Sequence, residues 1–416
     1  MEFNSERLLN RFLGYVKIDT GSDDHSGKSP SSPNQLVLGQ KLVDELKQIG
    51  LQDVELSEFG VVYATIPAIK RDRLDPSKLP VIGFSSHMDT ASDVPTGPVK
   101  PQVIRDYAGG DIPLPGDPAK AITVAQNPEL EGLKGTTIIT SDGTTLLGAD
   151  DKAGLAVIVE MAAVLMEHPE ITHGTIRLCL TPDEEIGQGT DHIDLKKFAC
   201  DFAYTLDGSG VDLIEAETFS ADSVMIYFTG RNVHPGDAKG KMISAIRAAG
   251  DFVCRLPFVG MAPETTEGRE GFIHPTDIHG TVEAASLRLI LRSFDTKELD
   301  VDHVLLETLA EQTKQAFPGL EVRLEFKKQY RNMAEGLKKD PRSVKRAEEA
   351  LKRCGRTPKY QVVRGGTDGS QLTEMGVPTP NLATGQHAIH SYMEWASLDE
   401  MLKTLQWVVE IVRVTE

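Results

Sequence analysis

Apolar residues in the first half of the chain fall into short continuous runs separated by amphipathic stretches. Residues 79–86, 175–180 and 202–206 have the length and composition typical of buried strands. A stretch with helical spacing lies between the first two, and its apolar face carries Leu155, Ile158, Val159, Ala162, Leu165 and Met166. An earlier helix is ended by Gly50 and has its apolar face at Leu38, Leu42, Val43, Leu46 and Ile49. Strands that alternate with helices predict an α/β layer fold.

The order of the predicted elements changes in the middle of the chain. A strand there is indicated by three apolar residues that alternate with other side chains, namely Val224, Ile226 and Phe228. A helix, two strands, a helix and another strand follow, and this order is typical of a ferredoxin-like domain. We therefore predict an inserted ferredoxin-like α+β domain at 219–329. The flanking residues, 1–218 and 330–416, would form one discontinuous α/β domain.

Two local patterns mark the edges of elements. Proline and glycine are frequent at 95–118, which predicts a loop. The last helix begins with SLDE at 397–400, the pattern of a capping box in which a serine and a glutamate side chain satisfy free backbone N–H groups.

Composition and charge narrow the classes of partner. The 416 residues are 40% hydrophobic and carry a net charge of −18, which repels phosphate backbones and anionic lipid surfaces. We therefore expect no nucleic acid and no membrane partner, and no apolar run reaches the ~20 residues of a membrane span. The first residues lack the apolar region of a signal peptide. Four widely spaced cysteines indicate reduced thiols, and we predict a cytoplasmic protein.

Acidic and imidazole side chains occur at the ends of the predicted strands or the start of a helix. These residues are His87, Asp89, Asp150, Glu184, Glu185 and Asp207. In open α/β sheets, functional sites form in the crevice beyond the carboxyl ends of the strands. We therefore expect these side chains to converge although they are far apart in sequence.

The converging residues have the chemistry of a site for two divalent metals. Nitrogen and oxygen donors without thiolates suit such ions, and three carboxylates with a bridging hydroxide neutralise two of them; the carboxylates are those of Asp150, Glu185 and Asp207. Two ions ~3.5–4 Å apart can share a carboxylate and a water. Asp89 is then free to bind the far nitrogen of His87, and Glu184 to take a proton from the water.

Five motifs give the chain a family resemblance. They are SHMDT at 86–90, GADDKAG at 148–154, TPDEE at 181–185, NVHPG at 232–236 and RGGTDG at 364–369. Together they resemble the tripeptide aminopeptidase branch of the co-catalytic zinc exopeptidases, which also include aminoacylase and carboxypeptidase G. The resemblance covers nearly the whole chain. It implies a zinc-exopeptidase-like catalytic domain with a mixed sheet flanked by helices, and an inserted domain that acts as a lid or in dimerisation.

The resemblance also assigns roles to individual residues. It implies two Zn²⁺ ions, with Co²⁺ or Mn²⁺ as alternatives, and Asp150 as the ligand that both share. The other ligands would be His87 and Asp207 for one ion, and Glu185 and His390 for the second. Asp89 and Glu184 would be the catalytic pair. The peptide bond between Asp150 and Asp151 is expected to be cis.

The motif around the last ligand differs from the family pattern. The expected motif is His-Gly-x-His-Glu, whereas this chain has HSYME at 390–394, with Met393 in place of the second histidine. His390 keeps its spacing from Glu394, and we therefore predict it to be the ligand. His387 lies three residues upstream and is the alternative.

Four residues are candidates for substrate binding. The resemblance implies that His234 donates a hydrogen bond to the scissile carbonyl oxygen, with Asn232 beside it either contacting the substrate or shaping the loop. Arg292 and Arg364 are candidates to grip a peptide carboxylate, because arginine offers a two-pronged donor. The alternatives are a His234 that is an ordinary surface-loop residue, a solvent-facing Arg292 and an Arg364 that braces its glycine turn. Asp368 is expected to be solvated or a local turn partner.

The predicted function is metal-dependent release of the N-terminal residue from tripeptides. One alternative is a carboxypeptidase or N-acyl amino-acid hydrolase with the same metal site. Another is a non-catalytic, metal-containing dimeric binding protein, against which the presence of Glu184 argues. The expected partner is a small peptide substrate, and the resemblance allows a homodimer formed through the inserted domain.

Overall fold

The computed structural model describes residues 3–69, 75 and 78–414, and these form two compact units. Unit 2 comprises Glu217–Ala334 and Val362–Gly366, and unit 1 comprises the rest of the chain. The predicted insertion, 219–329, thus lies within unit 2. The structure adds to it a short segment from the RGGTDG motif, because residues 362–366 pack with unit 2 rather than with the domain that follows them in sequence.

The described residues include ten α-helices and seventeen strands. The helices are α1 Ser5–Val16, α2 Pro33–Ile49, α3 Ala149–Glu167, α4 Leu195–Phe198, α5 Ala245–Arg255, α6 Thr296–Ala316, α7 Ala334–Lys339, α8 Arg342–Arg353, α9 Asp368–Glu374 and α10 Leu398–Val412. The strands are β1 Gln52–Leu56, β2 Val62–Ile66, β3 Ile82–His87, β4 Gln102–Ile104, β5 Ile112–Pro113, β6 Ala121–Ile122, β7 Ile138–Thr140, β8 Ile176–Thr181, β9 Phe202–Ser209, β10 Leu213–Thr218, β11 Ser220–Thr229, β12 Phe272–Gly280, β13 Ala284–Ser293, β14 Glu321–Tyr330, β15 Lys359–Val363, β16 Asn381–His387 and β17 Trp395–Ser397.

Unit 1 is built on a mixed sheet with the order β1-β2-β8-β3-β9-β16-β17-β7-β4, and β10 pairs with β16 and with β15. Its centre is parallel, because β8, β3, β9 and β16 pair in the same direction. The strands β3 and β16 are buried along their whole length, as expected for strands covered on both faces. The parallel centre places the carboxyl ends of four strands at one edge of the sheet.

The helix α3 lies at the middle of the core of unit 1. It packs on β3, β9 and β16 and is also contacted by α1 and α10. Because it is covered all round, residues 149–165 are all buried. The predicted apolar face was therefore too narrow, and its last member was wrong: Met166 is 37% exposed, one residue beyond the buried run.

Two local predictions also require correction. The stretch 95–118 is not all loop, since it contains β4 and β5. The capping box is only half formed: the Ser397 hydroxyl accepts the N–H of Glu400, but the Glu400 carboxylate binds His387 instead of the backbone. For the Glu400 carboxylate, the buried imidazole of His387 is a stronger partner than the backbone N–H of Ser397.

Unit 2 has the ferredoxin-like architecture that its element order predicts. Its four strands form an antiparallel sheet in the order β12-β13-β11-β14. Alternate residues of β11 and β13 face α5 and α6 and form a separate apolar core around Phe228, Phe252 and Leu289. None of the described helices combines the length and the apolar character needed to cross a bilayer.

We expect Gly154→Ala to destabilise unit 1 because α3 touches β9 at this glycine. A Cβ atom there would overlap the carbonyl oxygen of Leu206, which is a backbone atom with little freedom to move. Overpacking of this kind costs ~1–3 kcal/mol, so the melting temperature should fall by several degrees in a thermal unfolding experiment.

Gly14→Ala is the matched control, since Gly14 also lies inside a helix but its Cβ would meet only the Lys41 side chain at 3.7 Å. The higher helix propensity of alanine should raise stability there by ~0.5–1 kcal/mol. Equal effects of the two substitutions would contradict the close approach of α3 to β9.

Candidate metal centre

The four parallel strands deliver acidic and imidazole side chains to one edge of the sheet. His87 is the last residue of β3, and Asp207 lies near the end of β9. Glu184 and Glu185 follow β8, and His390 follows β16. The remaining group comes from the first turn of α3, which begins beside the same edge. The predicted convergence is therefore present in the structure.

Asp150 lies between two histidines, with one carboxylate oxygen directed to each. Its Oδ1 is 3.0 Å from Nε2 of His87, and its Oδ2 is 3.5 Å from Nε2 of His390. His390 Nε2 is also 3.0 Å from Glu185 Oε2, and His87 Nε2 is 3.6 Å from Asp207 Oδ1. A single carboxylate thus connects two clusters of donors, which is the arrangement of a bridging ligand.

Two further observations indicate that the donor set fits divalent cations. The ligand-type atoms of His87, Asp150 and Glu185 all lie within 4.8 Å of one another. Glu185 Oε1 is buried without a hydrogen-bond partner, which is costly for a carboxylate oxygen unless a cation binds it. Buried carboxylates at this density also repel one another, so positive charge in the cluster would stabilise it.

The pKa values of the side chains in the cluster reflect this crowding. Burial and the charge of Asp150 raise the pKa of Asp207, and burial likewise raises the pKa of Glu185. The pKa of Asp150 is lowered, because its hydrogen bonds with His390 and His87 outweigh its burial. His390 responds in the opposite sense, and its contacts with Asp150 and Glu185 raise its pKa to about 11.

Glu184 stands beside the cluster rather than within it. Its Oε2 is 4.0 Å from Nε2 of His87, and its side chain is partly accessible. Burial raises its pKa well above the ordinary value, and the charge of Asp207 adds to the effect of burial. A carboxylate with a raised pKa can both accept and return a proton near neutral pH.

The structure gives Asp89 a different principal partner from the one predicted. Its carboxylate oxygens accept the N–H groups of Glu184 and Glu185 at 3.0 and 3.1 Å. The far nitrogen of His87 lies 3.1 Å from the backbone oxygen of Asp89 and 3.4 Å from its carboxylate. Asp89 therefore holds the turn that carries both glutamates as well as the imidazole.

Two carboxylates that the sequence analysis did not place in the site also anchor this turn and the neighbouring loops. Asp183 accepts the backbone N–H of Ser31 at 2.8 Å and the Gln35 side chain at 2.6 Å, and its own N–H donates to Gln35. Asp368 is buried and accepts the Thr181 hydroxyl at 2.6 Å, so its predicted solvated or local role was wrong. Both residues lie inside the motifs quoted above, and this position was the one sign in the sequence that they belong to the site.

Asp151 and Glu394 fix the backbone around Asp150. Asp151 accepts the Ser86 hydroxyl, and Glu394 accepts the N–H groups of Leu147, Gly148 and Asp150 at 2.7, 2.7 and 3.0 Å. Burial raises the pKa of Glu394 to about 7. The peptide bond between Asp150 and Asp151 is cis, as the family resemblance predicts.

The two histidines near the end of β16 occupy different surroundings. His390 faces Asp150 and Glu185, and its Nδ1 is 3.0 Å from Asp93, a residue that the sequence analysis did not select. His387 instead stacks on Trp395 and binds Glu400. Of the two predicted alternatives, only His390 lies against the carboxylates of the cluster.

The candidate substrate-binding residues all belong to unit 2. His234 and Asn232 are exposed, and His234 Nδ1 accepts the N–H of Gly236 at 3.1 Å. Arg292 is partly buried and donates to Gln329 at 2.9 Å. Arg364 donates to the carbonyl oxygens of Gly268 and Glu270 and packs against the rings of Phe219 and Phe272. Arg364 thus braces the loop at 266–270, whereas the alternative stated above was its own glycine turn.

We expect Glu394→Gln to loosen the backbone around Asp150, because an amide offers one acceptor oxygen where the carboxylate offers two. Loss of such a bond costs ~1–3 kcal/mol. Amide hydrogen exchange of Leu147, Gly148 and Asp150 should therefore accelerate by ~10-fold or more at pH 8. The control is Glu349→Gln on the exposed face of α8, which should leave these amides unchanged. Unaltered exchange in Glu394→Gln would rule out this anchoring role.

Comparison with known proteins gives a consistent result. Residues 140–414 match the family model "Peptidase family M20/M25/M40". The chain is 44% identical over 409 residues to Peptidase T of Brevibacillus brevis, covering 98% of both proteins. Among solved structures, aminopeptidase PepT from Bacillus cereus superposes with a TM-score of 0.74 at 27% identity, covering 99% of this chain and 98% of that one. A Staphylococcus aureus tripeptidase superposes with a TM-score of 0.77 at 25% identity and the same coverage. The chain therefore belongs to peptidase family M20/M25/M40, in its Peptidase T branch, and is a metal-dependent peptidase.

Proposed function

We propose that this protein releases the N-terminal residue from tripeptides by means of two divalent metal ions. The observation that carries the proposal is the placement of Asp150, whose two oxygens face different histidines. The relatives called Peptidase T and the solved structures described as an aminopeptidase and a tripeptidase support the choice of substrate.

Five residues would hold the metals. His87 and Asp207 form one group with Asp150, and Glu185 and His390 form the other with the same carboxylate. We propose zinc as the natural metal, with cobalt and manganese as alternatives, because the donors are imidazole and carboxylate without thiolate. When bound, the ions supply a Lewis acid for the peptide carbonyl and an acidified water as nucleophile.

Glu184 is the proposed general base and acid. Its carboxylate lies beside the donor cluster, and its raised pKa suits it to take a proton from the attacking water. The same carboxyl group then returns that proton to the leaving amine. Asp89 is the second member of the proposed catalytic pair, and it acts by holding the backbone N–H groups of Glu184 and Glu185.

The candidate residues of unit 2 are proposed to bind substrate. Because His234 accepts a backbone N–H at Nδ1, its neutral ring carries the proton on Nε2 and can donate it to the carbonyl oxygen as negative charge develops. Asn232 is proposed to contact the peptide beside it. Arg292 is our candidate for the terminal carboxylate, and Arg364 would support it by bracing the loop at 266–270.

Location and assembly are further parts of the proposal. We propose a cytoplasmic protein, in keeping with four free cysteines, and a homodimer formed through unit 2. The edge strands of the unit 2 sheet, β12 and β14, are the elements that a second copy could extend. Sedimentation of the purified protein should give twice the mass of one chain, and a single-chain mass would reject the dimer.

Glu184→Gln should reduce tripeptide hydrolysis by ~10²- to 10⁴-fold, the usual contribution of a positioned base. The metal content should stay the same, because Glu184 is not one of the proposed ligands. Removal of metal from the wild type by a chelator should abolish activity, and added zinc should restore it. Glu131→Gln, in the turn at Pro128–Leu133, is the control and should retain full activity.

Hydrolysis by metal-free protein, or full activity of Glu184→Gln, would refute the proposed mechanism. Loss of bound metal in Glu184→Gln would instead move Glu184 into the ligand set. The measurement is initial rates of dipeptide release, together with elemental analysis of the same protein samples.

Substrate length and end preference separate the proposed activity from its rivals. We expect a tripeptide to be cleaved at its first peptide bond and faster than the matched dipeptide or tetrapeptide. The N-acetylated tripeptide should resist cleavage, because the free amine would no longer be presented to the metal centre. Product analysis by mass spectrometry should find the free N-terminal residue and the remaining dipeptide.

A carboxypeptidase would cleave the N-acetylated tripeptide and release the C-terminal residue. An N-acyl amino-acid hydrolase would prefer acylated single amino acids. The absence of any hydrolysis in the presence of bound metal would favour the non-catalytic binding protein.

A further inference from the structure

His387 is a buried histidine that has no role in the proposed mechanism. It is the last residue of β16, it is 7% exposed, and it lies three residues before His390. Its ring is parallel to the indole of Trp395, with 3.8 Å between the ring centroids. The chain returns to the sheet at Trp395, so the stacked pair closes the base of the loop at 388–394 that carries His390 and Glu394.

Carboxylates lie on both sides of the His387 ring. Nε2 is 2.6 Å from Oε2 of Glu400 on α10, and Nδ1 is 3.4 Å from Oε1 of Glu129 in the turn Pro128–Leu133. Among the described residues, these are the charged groups that face the imidazole. Burial by itself lowers the pKa of His387, but the two carboxylates reverse the effect and the pKa is raised. The pKa of Glu129 is lowered by the same contact.

The loop at 388–394 has a backbone that needs such support. Ala388 and His390 both have positive φ angles, 48° and 58°, which side-chain-bearing residues rarely adopt without constraint from their surroundings. Further contacts come from the same part of the chain as Glu129: Lys120 lies 3.3 Å from the ring centroid of Tyr392, and Asn127 accepts the indole N–H of Trp395 at 2.9 Å. Residues 120–129 therefore brace this loop in addition to the contacts that His390 and Glu394 make with other segments.

We propose that His387 is a positioning residue that, as a cation between Glu129 and Glu400, holds the loop at 388–394 so that His390 stays directed at the second metal. The inference rests on the proposed function in one respect, the assignment of a metal to His390. It adds a residue outside the ligand set, and it explains why Glu400 binds the imidazole instead of completing the helix cap.

The primary test uses the zinc-loaded protein and the variant His387→Phe. Phenylalanine keeps the stacking on Trp395 but makes no hydrogen bond to either carboxylate. Release of zinc into an excess of a chromophoric chelator should show one of the two ions leaving ~10-fold or more faster than in the wild type, the usual effect of losing a group that orients a ligand. The release rate of the other ion should change less, because His87 and Asp207 are held by different elements and only the shared Asp150 is linked to the loop, through Glu394.

His173→Phe is the matched control. His173 is also buried in unit 1, and among the described residues its ring binds the carbonyl oxygen of Gly174 through Nδ1. Both variants are expected to lower the melting temperature of the protein, but only His387→Phe should release zinc faster. Equal release rates in the two variants would reduce His387 to a general stabilising residue and overturn the proposal.

The charge of His387 is tested by pH and by Glu400→Gln, which keeps the shape of the side chain. Because the pKa of His387 is raised in the folded protein, its clamping contribution is complete below the ordinary value near 6.5 and is lost as pH rises through the raised value. The ratio of release rates between His387→Phe and wild type should therefore shrink with rising pH. In a Glu400→Gln background, the same ratio should shrink at lower pH.

A ratio that stays constant from pH 6.5 to 9.5 in both backgrounds would exclude charge as the cause. Failure of the proposed function would look different, since the wild type would then bind fewer than two zinc ions or none. With two ions bound in the wild type, unchanged zinc release in His387→Phe would reject the inference alone.

Discussion

The parallel pairing of four neighbouring strands is the constraint on which the site depends. Because β8, β3, β9 and β16 run in the same direction, their carboxyl ends meet at one edge of the sheet, and each delivers one or two donor groups there. The first turn of α3 adds Asp150 at the same edge. The proposed ligands come from five separate segments of the chain, so the cluster exists only as a product of the sheet.

Carboxylates outside the proposed ligand set hold backbone N–H groups around the cluster. Asp89 holds the two glutamates, Asp183 is tied to Ser31 and Gln35, and Glu394 fixes the start of α3. Hydrogen bonds from backbone to a charged acceptor are strong and directional, so they fix loops that carry no regular structure. The accuracy of the donor positions thus comes from a surrounding set of acids that are as buried as the ligands.

The sequence predicted the fold and the convergence of the donor residues, because both follow from periodicity and from where polar residues interrupt apolar runs. It could not predict the partners of individual carboxylates. Asp89 and Asp368 bind groups supplied by distant segments, and their contacts appear only when β3, β8 and α9 are in place. Met166 shows the same limit for packing, since helical spacing identifies a face but not how far a neighbouring element extends over it.

The position of β16 in the sequence affects when the sheet can form during synthesis. This strand completes the parallel centre beside β9, yet the whole of unit 2 separates the two in sequence. Strands that are so far apart in sequence pair slowly. Unit 2 has its own core and can fold as soon as it has been synthesised. During translation the ribosome therefore releases β3, β8 and β9 long before His390 emerges. His390 is the last of the proposed ligands in the sequence, so the donor cluster is complete only when nearly the whole chain has been made.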